Sequence, residues 1–206
     1  MHKLLRSLLT AAGLAAAANA FAVTDASGDF LASFTGQHDA ALDIVWANVA
    51  FDAAHNDFVL HARTAGPIAG THAAYVFGLD LGGTPKKPFA SIGEPGVAFT
   101  SAITLASNGT GAVAGTAVTT HVHGDEIDAI VPAALLPTVG IADTEVTWAL
   151  WSIDSTVTGL ARNADFAPDG DIRVSAVPEP APIASMLAGL GLLGVAARRR
   201  LAARQR

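Results

Sequence analysis

Turn-forming residues interrupt the central part of the chain, residues 23–177, at short intervals. Gly66-Pro67 and Asn108-Gly109 are two of these breaks, and a loop rich in Gly, Pro and Lys spans residues 82–88. The segments between the breaks are rich in Val, Ile, Leu, Phe and Trp, and none keeps a 3.6-residue apolar period long enough for a helix. About nine short strands with breaks every 8–12 residues predict an all-β fold, namely an antiparallel β-sandwich.

Two local patterns refine this fold prediction. Asn108-Gly109 is a strong signal for a hairpin between the strands on either side of it. Residues 127–132, together with Leu135-Leu136-Pro137, resemble the jelly-roll-like sandwich modules of bacterial exported proteins. That resemblance implies a jelly-roll-like strand order and assigns no functional residue.

Residues 1–22 have the pattern of a secretory signal peptide. Lys3 and Arg6 form a charged start, an apolar core follows, and small residues suit cleavage after Ala20 or Ala22. We therefore expect the chain to pass through the Sec translocon and to lose this segment to signal peptidase.

The remaining body, residues 23–176, is one domain in length and strongly acidic. It contains five Lys and Arg against 17 Asp and Glu, so its net charge is near −12. This charge repels nucleic acid and anionic membrane surfaces, and it favours solubility or cation binding. The chain has no cysteine, so packing and not disulfides must hold the core, although an exported compartment permits disulfides.

The C-terminal segment, residues 177–206, has three parts. Val177-Pro178-Glu179-Pro180 predicts an extended, accessible linker because proline lacks a backbone donor. The run from Ala181 or Ile183 to Ala197 carries no charge and is close to the lower limit of about 17 residues for a membrane-spanning helix. Arg198, Arg199 and Arg200 follow directly. Because arginines after a span remain in the cytoplasm, they are predicted to stop the helix in the inner membrane with the body on the periplasmic side.

This order of Val-Pro-Glu-Pro, apolar helix and Arg cluster resembles the PEP-CTERM sorting signal, which is also described as the C-terminal domain of ice-binding proteins. The resemblance implies that an exosortase, a membrane-embedded cysteine protease or transpeptidase, recognises Pro178-Glu179-Pro180. It implies a transient inner-membrane anchor in an exopolysaccharide-producing Gram-negative bacterium. After processing, the body would reach the cell surface or the extracellular matrix. The resemblance describes sorting and gives no evidence of ice binding.

One candidate metal site lies around two histidines. On a strand, His121 and His123 would point to the same face, a spacing found in zinc and copper sites, and Asp125 follows them. Gly124 and the acidic residues after it also fit a solvated polar hairpin, which is the favoured interpretation.

A second candidate metal site consists of carboxylates. Asp165, Asp169 and Asp171 lie close together in sequence next to Gly170, and hard oxygen ligands in a tight loop suit calcium. The stretch lacks the full EF-hand spacing, and Pro168-Asp169-Gly170 is an ordinary turn signal. A structural turn without a cofactor is therefore favoured, with calcium as the alternative.

Trp148 and Trp151 are separated by an odd number of positions on one predicted strand, so one faces the core and the other faces outward. Packing explains most of the aromatic residues, and an outward-facing Trp151 is the candidate platform for stacking a sugar ring. No Gly-x-Ser-x-Gly elbow and no cysteine nucleophile is present, so the sequence does not predict an enzyme.

These features together predict an exported, exosortase-processed envelope or extracellular-matrix protein. Its β-sandwich would be structural or binding, with exopolysaccharide as a candidate partner. A carbohydrate- or calcium-binding module is the alternative. A small secreted hydrolase is the third interpretation, because glycoside hydrolysis needs a carboxylate pair and the body is rich in carboxylates, for example Asp125 and Asp128.

Overall fold

The structure is a computed structural model and describes residues 22–177 of the 206-residue chain. The predicted signal peptide (except Ala22) and the predicted membrane helix with its arginines lie outside the described residues. Within residues 22–177 no helix is long and apolar enough to cross a membrane.

The described residues form twelve strands connected by turns and short 3-10 helices. The strands are β1 (Val23–Thr24), β2 (Ile44–Asp52), β3 (Asp57–Thr64), β4 (Ala73–Asp80), β5 (Ser101–Ala106), β6 (Thr110–Val113), β7 (Thr116–His123), β8 (Glu126–Pro132), β9 (Thr147–Asp154), β10 (Asn163–Phe166), β11 (Ile172–Arg173) and β12 (Ser175–Ala176). The 3-10 helices span Ala40–Leu42, Ala90–Ile92, Ala133–Leu135, Asp143–Glu145 and Gly159–Arg162.

The strands form one continuous sheet in the order β1-β2-β3-β8-β7-β6-β5-β4-β9-β10. Strand β11 pairs with β9, and β12 pairs with β2. The pairs are antiparallel, except that the short β12 runs parallel to β2. The predicted hairpin at Asn108-Gly109 is present between β5 and β6. The all-β, antiparallel prediction is therefore confirmed.

The sheet curls at β7 because this strand changes partners along its length. Thr116 and Thr119 pair with β6, whereas Thr120 and His123 pair with β8. The two halves of the sheet face one another across a shared hydrophobic core. This core includes Val49, Phe58, Leu60, Tyr75, Phe77, Ile103, Leu105, Trp148 and Leu150. The architecture is a curled half-barrel, so the prediction of a sandwich with jelly-roll-like order is not confirmed.

The two edges of the curled sheet meet along a line that we call the seam. One edge is β2, which is covered by β1 and β12, and the other is β9, which is covered by β10 and β11. The chain after β1 runs between them: the Asp25 amide donates to the Val45 carbonyl at 3.1 Å, and the Leu31 amide donates to the Ala164 carbonyl at 2.9 Å. The Asp165 side chain also crosses the seam, because it accepts from the Ile44 amide at 2.7 Å.

Candidate functional site

The two predicted histidine ligands lie at the end of β7, on the solvent-facing side of the sheet. Their rings stack with centroids 6.3 Å apart. His121 Nδ1 lies 3.0 Å from Asp128 Oδ2 across the β7–β8 pair. His61 on the adjacent strand β3 pairs in register with Asp128, so the polar side chains form a row across the sheet.

This histidine row does not gather a third metal ligand. Asp125 is an exposed turn residue, and its carbonyl accepts from the Thr64 amide at 2.9 Å. Residues 22–177 contain a group of three side chains whose possible ligand atoms lie within 4.8 Å of one another. This group lies away from the histidine row and contains no histidine. The metal role of His121, His123 and Asp125 stays a prediction without geometric support.

The predicted calcium loop is divided by the structure. Asp165 belongs to β10, whereas Asp169 and Asp171 follow it in an irregular segment. Neighbouring residues on a strand face opposite sides, and Phe166 packs into an apolar cluster while Asp165 turns toward the seam. The Asp171 carboxylate instead accepts from the Ala98 amide at 3.0 Å. Among residues 22–177 these three aspartates do not bring their carboxylate oxygens within 4.8 Å of one another, and their calcium role stays a prediction.

Asp165 meets two aspartates that the sequence analysis did not single out. Asp25, Asp29 and Asp165 each offer a carboxylate oxygen, and these atoms lie within 4.8 Å of one another. Asp29 is exposed, Asp25 is half-buried, and Asp165 is only 3% exposed. We call these three residues the seam aspartates.

A fourth carboxylate, that of Asp43, adjoins the seam aspartates and is 5% exposed. Its Oδ2 accepts from Ser27 Oγ and from the Gly28 amide, both at 2.8 Å, and these donors belong to the loop between Asp25 and Asp29. The Asp43 side chain therefore faces the same loop that carries two of the seam aspartates.

The crowding of these carboxylates changes their acidity. Burial, with a smaller contribution from the negative charges of Asp25 and Asp29, raises the pKa of Asp165 to about 8, although two backbone hydrogen bonds act to lower it. Burial likewise raises the pKa of Asp25 to about 6, with repulsion from Asp29, Asp169 and Asp43 acting in the same direction. The seam thus disfavours several bare negative charges and favours a proton or a cation there.

Sequence reasoning could find only part of this group. The four-residue spacing of Asp25 and Asp29 in a loop with Ser and Gly was a weak signal. Nothing local indicates that this loop lies against a strand that begins more than a hundred residues later, because only the curl of the sheet brings them together.

Trp151 lies on the face opposite to Trp148, as the odd spacing predicted. Trp148 is fully buried in the shared core, whereas Trp151 belongs to a second apolar cluster on the outer face of β4 and β9. Trp151 is nevertheless only 4% exposed, because Phe89 and Phe99 pack against it at centroid distances of 4.9 Å and 5.2 Å. It is therefore not an open stacking platform.

A cleft of about 750 Å³ opens beside Trp151. Its lining is Val76, Pro88, Phe89, Phe99, Ala102, Thr104, Trp151, Ile153, Gly159, Leu160, Arg162 and Asn163. Among these residues Arg162 supplies an exposed cation, and no carboxylate belongs to this lining. The ligand-binding role of Trp151 stays a prediction. In the structure Trp151 lines this cleft and does not stand on an open surface.

The folded part ends directly at the sorting segment. Strand β12 pairs Ser175 and Ala176 with β2, and the Val177 amide donates to the Phe51 carbonyl at 3.1 Å. Pro178, Glu179 and Pro180 lie outside the described residues, as do Arg198, Arg199 and Arg200.

Residues 176–200 match the PEP-CTERM protein-sorting motif. The match begins inside β12 and covers the linker, the apolar run and the three arginines of the sequence analysis. The comparisons with curated proteins and with solved structures find no match for this chain. The chain therefore carries an exosortase-type sorting motif, which implies export and a location at the cell surface or in the envelope.

Proposed function

We propose that this protein is a non-catalytic structural or binding component of the cell envelope or the extracellular polysaccharide matrix. The Sec translocon and signal peptidase would process residues 1–22. Residues 183–197 and the arginines after them would hold the precursor in the inner membrane until an exosortase acts at Pro178-Glu179-Pro180. The match to the sorting motif at residues 176–200 is the observation that carries this proposal.

The position of the first and last strands of the described fold supports a precursor that is held in the membrane at its C-terminal side. Val23 pairs with Ala47, and Ala176 pairs with Phe51, so both ends of the described fold lie on the same edge of β2. Four residues of strand separate these points, which is about 13 Å. A precursor held at its C-terminus would therefore keep this edge toward the membrane and present the remainder of the half-barrel to the periplasm.

The charge of the body supports the same role. An acidic surface is repelled by nucleic acid and by anionic membrane lipids, so the released protein would not adhere to either. The row of His61, Asp128 and His121 across the sheet provides a polar outer face on which matrix polysaccharide could bind through hydrogen bonds.

Expression of the full chain with and without a cognate exosortase tests the proposal. We expect loss of the C-terminal segment, detected by mass spectrometry, only when the exosortase is present. Glu179→Ala should block this processing and leave the protein in the membrane fraction, whereas Pro182→Ala, which leaves Pro178-Glu179-Pro180 intact, should not. Recovery of the full-length chain from the cytosol with both ends intact would overturn the proposal.

Carbohydrate binding is a second candidate function, and the cleft beside Trp151 is the observation that favours it. An aromatic floor and a cation at the rim, Arg162, suit an acidic sugar. A glycan array with the full chain should show binding that Arg162→Ala weakens and the distant Arg173→Ala does not. If Arg162→Ala and Arg173→Ala bind glycans equally well, or if the wild type binds none, carbohydrate binding at this cleft is excluded. The hydrolase interpretation has no such support, since this cleft lacks a carboxylate pair.

A further inference from the structure

We propose that the seam aspartates, Asp25, Asp29 and Asp165, form a calcium site beside Asp43 that fastens the two edges of the half-barrel. The inference rests on the geometry of the seam and is independent of sorting or of any carbohydrate ligand.

The ligand atoms are already gathered. Oxygens of Asp25, Asp29 and Asp165 lie within 4.8 Å of one another, a spacing at which a cation between them contacts all three. Asp165 is oriented by two hydrogen bonds, since its Oδ2 accepts from the Ile44 amide at 2.7 Å and its Oδ1 from the Phe166 amide at 2.8 Å. Each carboxylate oxygen has two lone-pair sites, so these bonds leave capacity for a metal ion.

A separate observation points to a cation, namely buried carboxylate oxygens that have no donor. Asp43 is 5% exposed, and its Oδ1 has no hydrogen-bond partner among residues 22–177, although its Oδ2 has two. The Oδ2 atom of Asp25 is likewise buried and without a donor in this part of the chain. Burying an unpaired carboxylate oxygen is unfavourable. A cation bound by the seam aspartates would satisfy the Asp25 atom and would offset the buried charge of Asp43, whose Oδ2 faces the same loop.

The donor set selects calcium. All candidate ligands are carboxylate oxygens, and no histidine belongs to the group, so the site does not suit zinc or copper. Two of the carboxylates, those of Asp25 and Asp29, come from an irregular loop, an arrangement that Ca²⁺ accepts with its six to eight oxygen ligands, whereas Mg²⁺ demands a near-ideal octahedron. Extracellular calcium modules bind with dissociation constants of about 10⁻⁴–10⁻³ M, which suits an exported protein.

The site would connect segments that are far apart in sequence. Ile44 and Asp165 are separated by 121 positions, and the N-terminal segment is held to β2 by the two residues of β1 and by the Asp25 amide. Because a ligand that binds only the folded state stabilises it, calcium would fasten the N-terminal segment and raise the melting temperature.

Calcium titration of the full chain tests the inference. The protein is purified in mild detergent, treated with EDTA and titrated with CaCl₂ in a calorimeter, with MgCl₂ in parallel. We expect one saturable calcium site and a rise in Tm of about 5–10 °C at a hundredfold excess over Kd. Asp29→Asn should weaken binding at least tenfold. Asp125→Asn removes the same charge from the exposed β7–β8 turn and should bind as the wild type does.

Hydrogen exchange gives a second readout that does not depend on the variants. Calcium should slow exchange of the amides in residues 22–35 and leave the β7–β8 hairpin unchanged. No saturable heat and no protection of this segment would overturn the inference. So would equal responses to calcium and magnesium, or equal binding by Asp29→Asn and Asp125→Asn, because both results describe only general attraction to an acidic surface.

Discussion

The two halves of the curled sheet are built differently. Strand β3 alternates, with Phe58, Leu60 and Ala62 in the core and His61 and Arg63 toward solvent. Strands β4 and β9 do not alternate in burial, because residues 73–79 and 148–154 are buried on both faces. The outer face of that second half is covered by the segment that carries Phe89 and Phe99.

The two halves of the sheet therefore have different roles in the fold. The half that contains β3 has one apolar face for the core and one polar face that remains available to ligands, as is usual for antiparallel sheets. The half that contains β4 and β9 has an apolar cluster on each side and is therefore the more stabilised part of the fold. The seam joins the two halves and contains the buried carboxyl groups of Asp43 and Asp165.

The largest effect should come from the tryptophans of β9. Trp148→Ala and Trp151→Ala should each lower the free energy of unfolding by about 3–5 kcal/mol, since both side chains are buried. Trp46→Ala on the outer face of β2 should cost about 1 kcal/mol. Urea unfolding of the three variants measures this. A small cost for Trp151→Ala, similar to that of Trp46→Ala, would mean that the outer face of β9 is not a second core.

The seam should make stability depend on pH. The pKa of Asp165 is about 8 in the folded chain against an ordinary value of 3.8, so between these values the unfolded chain releases a proton that the folded chain keeps. With EDTA present, stability should therefore be full below pH 4 with respect to this group, and should fall toward pH 8 by up to about 1.4 kcal/mol per pH unit. Unfolding curves at several pH values should show this slope, and Asp165→Asn should flatten it. An unchanged slope in the variant would assign the dependence to other groups.

Adding one methyl group at Gly78 should test how tightly the outer face of β4 is packed. A Cβ atom on Gly78 would lie 2.8 Å from Trp151 Cζ3 and 3.1 Å from Phe99 Cβ. Gly78→Ala should therefore destabilise the fold by about 1–3 kcal/mol, because the aromatic rings must shift. Gly115→Ala lacks any neighbour within 4 Å but has a φ of 84°, so it controls for backbone strain alone. Thermal unfolding that shows no loss of stability for Gly78→Ala would contradict the tight contact.

The smallest effect should come from the polar face of the other half. His121 and Asp128 form an exposed pair at 3.0 Å, and exposed ion pairs contribute about 0–1 kcal/mol. His121→Ala should therefore leave the free energy of unfolding within about 1 kcal/mol of the wild type, with Asp125→Ala as a control on the same hairpin. A loss of several kcal/mol would show that this face has a structural role like that of β9.

Several features could be predicted because they depend on neighbouring residues alone. The Asn108-Gly109 hairpin follows from turn chemistry, and the opposite facing of Trp148 and Trp151 follows from the two-residue period of a strand. The sorting motif is a linear pattern of composition and order, and residues 176–200 match it as expected.

Other features depend on partners that are distant in sequence. Asp165 and Asp171 are close in sequence, but Asp165 accepts from the Ile44 amide across the seam, whereas Asp171 accepts from the Ala98 amide. The exposure of Trp151 could not be judged locally, because Phe89 and Phe99 cover it from a loop far away in the chain.

The sequence by itself determined the class of secondary structure, the turns and the C-terminal sorting motif, since each depends on short-range periodicity or composition. Only the tertiary structure decided that the strands form one curled sheet, because β7 divides its hydrogen bonds between β6 and β8. The same curl decided which acidic residues meet. Asp25, Asp29, Asp43 and Asp165 become neighbours through the closure of the seam, and no local pattern encodes that contact.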